Sequence, residues 1–359
     1  MSSKPSLKVL APDASLLSRR QFLGLSALGL LSLGLPGCAS RGGRNLNIYN
    51  YSYYIAPDTI TNFRQKTDIS IVYDEFSSQD VLFAKLKLGA GYDLVVASDY
   101  MLRRLIRQQI IAPIEGFELY DDLISICKKE PWLSLCRYCV PYLWGTTGIG
   151  YNRKYVKATP TSWNDLWDED YAGRITMLDE KRDSIGAALI RLGYNGNSTD
   201  QHELNEARRE LLHQKRILRQ YTNDYIDGLV RGEIWLAQAW SGDISRAKAA
   251  NPNIDYILPK EGSFFFIDSW CIPSDALHKK EAVEFLNFVM QPENVAKVTN
   301  FTSYPNTISS SRRYVNAALI DNPLGYPPAD MMARTFAQED IGANEKVWDR
   351  MWEDIKFKH

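Results

Sequence analysis

Carboxylates, hydroxyls and aromatic rings gather where short apolar runs of this sequence end. Tyr51, Ser52 and Tyr54 close the run that begins at Asn45, and Ser98 and Tyr100 follow Asp93–Ala97. Asp179, Glu180 and Asp183 follow Ile175–Leu178, and Ser241 and Asp243 follow Ile234–Trp240. Asp268 stands alone inside the apolar run Phe264–Pro273. A carboxylate taken out of water is costly unless it meets a cation or strong donors. Aromatic faces attract cations in turn. Together these residue types could hold an organic cation. Each also has an ordinary structural reading. Lone aromatics are most often core, Asp179–Asp183 could be a solvated charged turn, Asp268 could serve a structural ion pair, and Ser52 and Ser98 could simply cap helices.

Other chemistries find little support. There is no nucleophile elbow and no phosphate-cradling glycine loop, and the histidines (His202, His213, His278, His359) have no metal-ligand spacing. Paired carboxylates could serve glycoside hydrolysis, but nothing places a sugar beside them, so no enzyme activity is expected. Cys136-Arg137-Tyr138-Cys139 is a CxxC, with Cys127 and Cys271 elsewhere. Zinc would need a second ligand pair. A buried set of thiols, or a disulfide from Cys127 to Cys136 or Cys139 in an oxidising compartment, is the simpler reading. No metal and no cofactor are expected.

The elements that must position these residues alternate. Strands are predicted over Asn45–Tyr54, Ile69–Tyr73 and Asp93–Ala97, separated by helices over Thr59–Gln65 and Gln79–Leu88, with a helix over Met101–Gln109 after them. The same grammar continues with strands at Ile175–Leu178, Ile234–Trp240 and Ile254–Leu258 and helices at Ser184–Leu192, Asn205–Gln214 and Glu281–Met290. Ser162 reads as a helix cap. Tyr142–Tyr151 and Phe264–Pro273 read as long extended segments. Strand–helix alternation implies an α/β fold with a mostly parallel sheet, and ligands of such sheets lie at the carboxyl ends of strands.

The chain start reads as an export signal. Ser18-Arg19-Arg20-Gln21-Phe22-Leu23 opens a twin-arginine pattern, and the apolar stretch Phe22–Leu35 is too short to span a bilayer. Leu35-Pro36-Gly37-Cys38 is similar to a lipobox, which would make Cys38 a lipidated mature N-terminus after a signal peptide over residues 1–37; release by ordinary cleavage near Ala39-Ser40 is the alternative. Residues 38–44 read as a tether. Four basic residues (Lys4, Lys8, Arg19, Arg20) and one acidic residue (Asp13) precede Cys38, so a chain of net charge −1 leaves a mature part near −4. That disfavours a nucleic-acid partner. With 20 Tyr and 9 Trp, rings for a cation cage are plentiful.

Ordered stretches along almost the whole mature part carry a resemblance. They are Ile48–Tyr54, Ala84–Lys87, Tyr92–Ser98, Pro141–Gly145, Ser162–Trp167, Leu192–Tyr194, Pro259–Gly262, Ile267–Ser269 and Tyr304-Pro305. In these the chain resembles the spermidine/putrescine-binding proteins of ATP-driven (ABC) importers. The resemblance implies a two-lobed periplasmic-binding fold with a hinge and an interlobe cleft, a polyamine ligand, membrane permease subunits as partners, a monomer, and a periplasmic location. Lobe 1 would comprise residues 45–145 and 270–318, and lobe 2 residues 146–269 and 319–359. Tyr142–Tyr151 and Phe264–Pro273 would cross between them.

The resemblance also implies a ligand set. Tyr51 stands where the family usually has Trp, and Ser52 where it usually has Thr. Tyr54, Ser98 and Tyr100 match. Glu180 and Asp183 stand where Asp and then Glu are usual, so charge is kept and reach exchanged. Trp240 matches as a wall, Phe266 replaces a Trp, Asp268 matches the central carboxylate, and Tyr304 and Gln338 match as polar contacts. The smaller rings at 51 and 266 imply retuned selectivity among amines. The same fold holding another amine, an amino-acid derivative or ferric iron is the alternative, as is a sensor lipoprotein without a transport partner.

Overall fold

The computed structural model describes residues 44–129 and 132–357. The export signal, Cys38 and most of the tether lie outside the described residues. The strands are β1 (Asn45–Tyr51), β2 (Ser70–Phe76), β3 (Leu94–Ala97), β4 (Ile111–Ala112), β5 (Val140–Asn152), β6 (Ile175–Met177), β7 (Leu218–Tyr221), β8 (Leu236–Trp240), β9 (Ile254–Ile257), β10 (Ser263–Pro273) and β11 (Thr335–Ala337). They form one continuous sheet in the order β2-β1-β3-β10-β5-β8-β6-β7, with β4 and β11 on β10 and β9 on β5.

The α/β reading holds, and the parallel grammar holds towards both ends of the sheet, where β1 pairs with β2 and β3, and β6 with β7 and β8. The middle is different. β5 and β10 run antiparallel to each other and to their outer neighbours β8 and β3. These two long strands are the extended segments expected from the sequence.

Local chemistry accounts for the helices that follow the strands. Pro57 opens the helix Pro57–Thr67, where its missing N–H costs nothing. Ser78 caps Gln79–Lys87 through Val81. Ser162 forms a full capping box with Asp165, although the turn it starts, Trp163–Trp167, is a 3₁₀ helix. One assignment changes character. The expected charged turn at Glu180–Asp183 is the buried start of the helix Lys181–Arg191, with Glu180 at its N-cap position.

The apolar core is divided. One cluster takes β1, β3, the start of β5 through Leu143, the later part of β10 and the helices Pro57–Thr67, Gln79–Lys87, Asp99–Arg107, Lys279–Val289 and Pro292–Thr302. A second begins at Ile149 on β5 and takes Phe264 on β10 and the C-terminal helix Glu345–Phe357. A smaller third lies around β8 and β9. Both long strands thus pass from one core to another. Glycines let neighbours close on β5. A Cβ at Gly148 would collide with the Ile257 carbonyl and the Tyr256 ring. Gly148→Ala should therefore destabilise the fold by about 1–3 kcal/mol, read as a lower urea midpoint at unchanged slope. An unchanged midpoint would mean that β5 and β9 separate at no cost.

Candidate functional site

The site is assembled where β1, β3, β6, β8 and the middle of β10 end or pass one another. β10 sets its centre. Phe266 and Asp268 lie two residues apart, hence on one face, and the pairing with β5 slips by a bulge between Asp268 and Ser269. A bulge re-aims side chains locally. Asp268 is buried, and Tyr54 Oη donates to its Oδ2 at 2.6 Å. Tyr54 is itself fixed by Tyr142, whose hydroxyl donates to the Tyr54 carbonyl at 2.9 Å.

Rings surround this pair. Tyr54 packs edge-on against Tyr51 at 5.5 Å and Tyr304 at 5.3 Å, and Tyr304 lies 6.3 Å from Phe266. Gly145 makes room for them, since a Cβ there would sit 2.9 Å from the Phe266 ring and 3.3 Å from Tyr304. Gly242 does the same under the Tyr304 ring. Tyr51, Trp240 and Phe266 remain half-buried.

A second pole is built on helix starts. Asp183 lies in the first turn of Lys181–Arg191 and accepts from Thr147 Oγ1 at 2.6 Å, and the side chains of Gln338 and Trp240 also reach it. Glu180 accepts the backbone N–H of Gln79 at 3.2 Å. Gln79 binds on two further sides. Its Nε2 donates to Tyr51 Oη at 2.6 Å, and its Oε1 accepts from the Ser98 amide at 3.2 Å. Neither Gln79 nor Thr147 was singled out from sequence. A polar residue at a helix start or in an extended segment has no distinctive pattern until its partners are known.

At the start of the helix Asp99–Arg107, Ser98 Oγ, Asp99 Oδ2 and Tyr100 Oη are buried with no hydrogen-bond partner among the described residues. The Tyr100 ring carries the Arg182 guanidinium 5.0 Å above its centre. Asp243, in the first turn of the helix Ser241–Ala250, accepts from Tyr225 at 2.9 Å and from Tyr304 at 3.1 Å and lies 3.4 Å from Arg246. Of the twelve expected residues, Ser52 stands apart. It is exposed, and its hydroxyl donates to Glu75 on β2 at 2.8 Å.

The electrostatics follow from burial. Burial, with the charge of Asp183 adding to it, pushes Asp268 up to about 7 although Tyr54 opposes the shift. Burial, helped by Asp268, pushes Asp99 to about 8. Glu180 is driven well above the usual carboxylate range by burial and then by Asp80 and Asp183. Asp183 is also raised by burial, against its hydrogen-bond donors. The neighbouring cations are engaged elsewhere. Lys181 pairs with Asp80, Glu345 and Asp349, and Arg182 with Glu345 and Asn197. Acidic groups thus crowd a water-poor, ring-lined space, an arrangement that favours entry of a cation.

Comparison with known proteins matches residues 58–324 to the model of the bacterial extracellular solute-binding proteins. The chain belongs to that family. It is a binding protein, not an enzyme. It is 30% identical over 338 residues to the spermidine/putrescine-binding periplasmic protein of Escherichia coli K12, covering 92% of this chain and 97% of that one. It is 32% identical over 367 residues to the putrescine-binding periplasmic protein PotF of the same organism, with 95% and 98% covered. Among solved structures, the Tp0655 (TpPotD) lipoprotein of Treponema pallidum superposes with a TM-score of 0.78 at 27% identity, covering 88% of this chain and all of that one.

The solute-binding protein should show its raised carboxylates in its own stability. Asp99 and Asp268 titrate near 8 and 7 in the fold, against an ordinary 3.8. Between about pH 4 and pH 8 the folded chain therefore holds more protons than the unfolded one. Stability from this source is complete below the ordinary value and is lost as pH rises through the folded values. The unliganded melting temperature should fall from about pH 5 to about pH 8, and Asp268→Asn should flatten part of that fall. A parallel decline in wild type and variant would remove Asp268 as its source.

Proposed function

We propose that this solute-binding protein captures a polyamine of the putrescine/spermidine class and presents it to an ATP-driven importer. One observation carries the reading: Glu180, Asp183 and Asp268 are buried together among Tyr51, Tyr54, Trp240, Phe266 and Tyr304. Ammonium groups would pair with the carboxylates, through charge-assisted hydrogen bonds worth about 1.5–3 kcal/mol each. Rings would cover the methylene chain, at about 0.8 kcal/mol per buried CH₂, and add about 0.5–2 kcal/mol for each cation–π contact. Ser98, Tyr100 and Gln338 would complete the cage, while the exposed Ser52 would join only if its turn moves. The names of the E. coli relatives point to the same ligand class.

The ferric alternative is disfavoured by the phenols. Burial above all, with nearby carboxylate charges, drives Tyr51, Tyr54, Tyr100 and Tyr304 well above the ordinary phenol value, so none is a ready phenolate.

Capture proceeds by hinge closure. Lobe 1 is residues 45–145 with 270–318, and lobe 2 is residues 146–269 with 319–359. The change of apolar core on β5, between Leu143 and Ile149, supports the bound there, whereas on β10 the cores change between Phe264 and Phe265, earlier than the proposed bound. Export uses the twin-arginine signal, and lipid on Cys38 holds the monomeric protein at the membrane on the periplasmic side. The lipoprotein of Treponema pallidum is a precedent for such an anchor.

Calorimetric titration with putrescine, spermidine and spermine, with an amino acid as control, tests the ligand. Micromolar or tighter binding of one amine is expected, weakened more than tenfold by Asp268→Asn. Binding of none would overturn the ligand class, and an unchanged Asp268→Asn titration would remove Asp268 from the site. Separately, Cys38→Ala should release the protein from membranes into the soluble fraction. An anchored Cys38→Ala variant would refute the lipid site.

A further inference from the structure

Four thiols collect at the start of β5. Cys136 follows the short helix Trp132–Leu135, its amide donating to the Trp132 carbonyl at 3.2 Å. Cys139 comes three residues later and leads directly into β5. The two side chains are in hydrogen-bond contact. Cys136 Sγ also lies 3.8 Å from the Cys127 carbonyl. Cys271 is on β10, next to the Trp270–Val140 pair, and so borders Cys139 from the other side.

The turn that brings 136 and 139 together is pinned at each step. Tyr138 N–H donates to the Leu135 carbonyl at 2.8 Å, Ile114 N–H to the Arg137 carbonyl at 2.9 Å, and Tyr120 Oη to the Cys139 carbonyl at 3.2 Å. Access is unequal. Cys127, Cys139 and Cys271 are buried, whereas Cys136 is half-buried. It borders a shallow apolar cavity of about 140 Å³ with Tyr120, Leu123, Cys127, Lys128 and Leu133.

We propose that Cys136 and Cys139 are a dithiol that closes to an intramolecular disulfide, entered through Cys136. The pairing differs from the sequence expectation, which started from Cys127. The oxidant is a disulfide, either a small one such as oxidised glutathione or that of a thiol–disulfide oxidoreductase. The Cys136 thiolate attacks one of its sulfurs and expels a thiolate, leaving a mixed disulfide. Cys139 then attacks the Cys136 sulfur and expels the second thiolate. Both departing thiolates take up the protons lost by the cysteines. Two S–H bonds and one S–S bond are exchanged for one S–S bond and two S–H bonds. The buried Cys139 is shielded from outside oxidants and reached only through its neighbour, which makes the order of events a consequence of burial.

The test uses the full chain equilibrated in reduced or oxidised glutathione, then unfolded, alkylated and mapped by mass spectrometry. Oxidation should lower the number of alkylated cysteines by two and yield a peptide with Cys136 joined to Cys139. Cys136→Ser should abolish the change, and Cys139→Ser should stop at a glutathione adduct on Cys136. An unchanged alkylation count in oxidised buffer, or a link from either residue to Cys127 or Cys271, overturns the proposal. The wild-type peptide map decides the matter even where a variant folds poorly.

Discussion

The cost of holding carboxylates out of water organises this structure. Glu180, Asp183, Asp268 and Asp99 are buried in one region, and like charges that close raise one another's cost. The fold offsets that cost only in part through cations, Arg182 opposing the rise at Asp183 and Asp99 from a distance. Three of the groups, with Asp243, stand at the first position or first turn of a helix, where the dipole favours negative charge. Asp268 is on a strand and has no such help. It receives instead the short bond from Tyr54, and Tyr54 is held in turn by Tyr142. The rings around Asp268 exclude water, which strengthens every charge interaction made there.

Cations do occur beside the site, but they are spent on architecture. Lys181 and Arg182 follow Glu180 in the chain and are buried, yet both point into a network with Asp80, Glu345 and Asp349. Arg104 joins it through Glu345 and Asp349. The network ties helices near the start of the chain to the C-terminal helix. A buried ion pair adds little net stability on its own. Here its effect is positional: it keeps two cations from collapsing onto the neighbouring carboxylates, so a cationic solute need not compete with a lysine for them.

How far the sequence disclosed this arrangement depended on the range of the interactions. Apolar runs such as Leu94–Ala97 and the strand-end placement of Tyr54, Tyr100 and Trp240 follow from local pattern, and each lies where that pattern placed it. The segment Asp179–Asp183 looks solvated locally because its cations find acidic partners far along the chain, Lys181 at Asp80 and both Lys181 and Arg182 at the C-terminal helix, more than 160 residues away. Short-range reasoning has no access to such pairs. The C-terminal helix that carries those acids also seats Trp348 and Trp352 in the second core, and the strand–helix alternation did not flag it. Ser52 shows the opposite case. A position-by-position correspondence assigned it to the site, while beside the left-handed backbone at Tyr53 Ser52 is exposed and meets Glu75.

Gln79 shows why the site and the sheet's two-part construction belong together. It starts a helix that packs with the first core, but its amide N–H serves Glu180, which follows β6 on the side of the second core. Its side chain meanwhile joins Tyr51 to the backbone of Ser98, both on the first side. One residue thus reads the position of strand ends from both halves. Any motion that separates the halves along β5 and β10 must break the Gln79–Glu180 bond and return the Glu180 carboxylate to water. Opening therefore relieves the desolvation that raises its pKa, and closing restores it. On the proposed reading, a cation that enters before closure would remove that penalty at the moment it would be incurred, so the closed arrangement would depend on the solute.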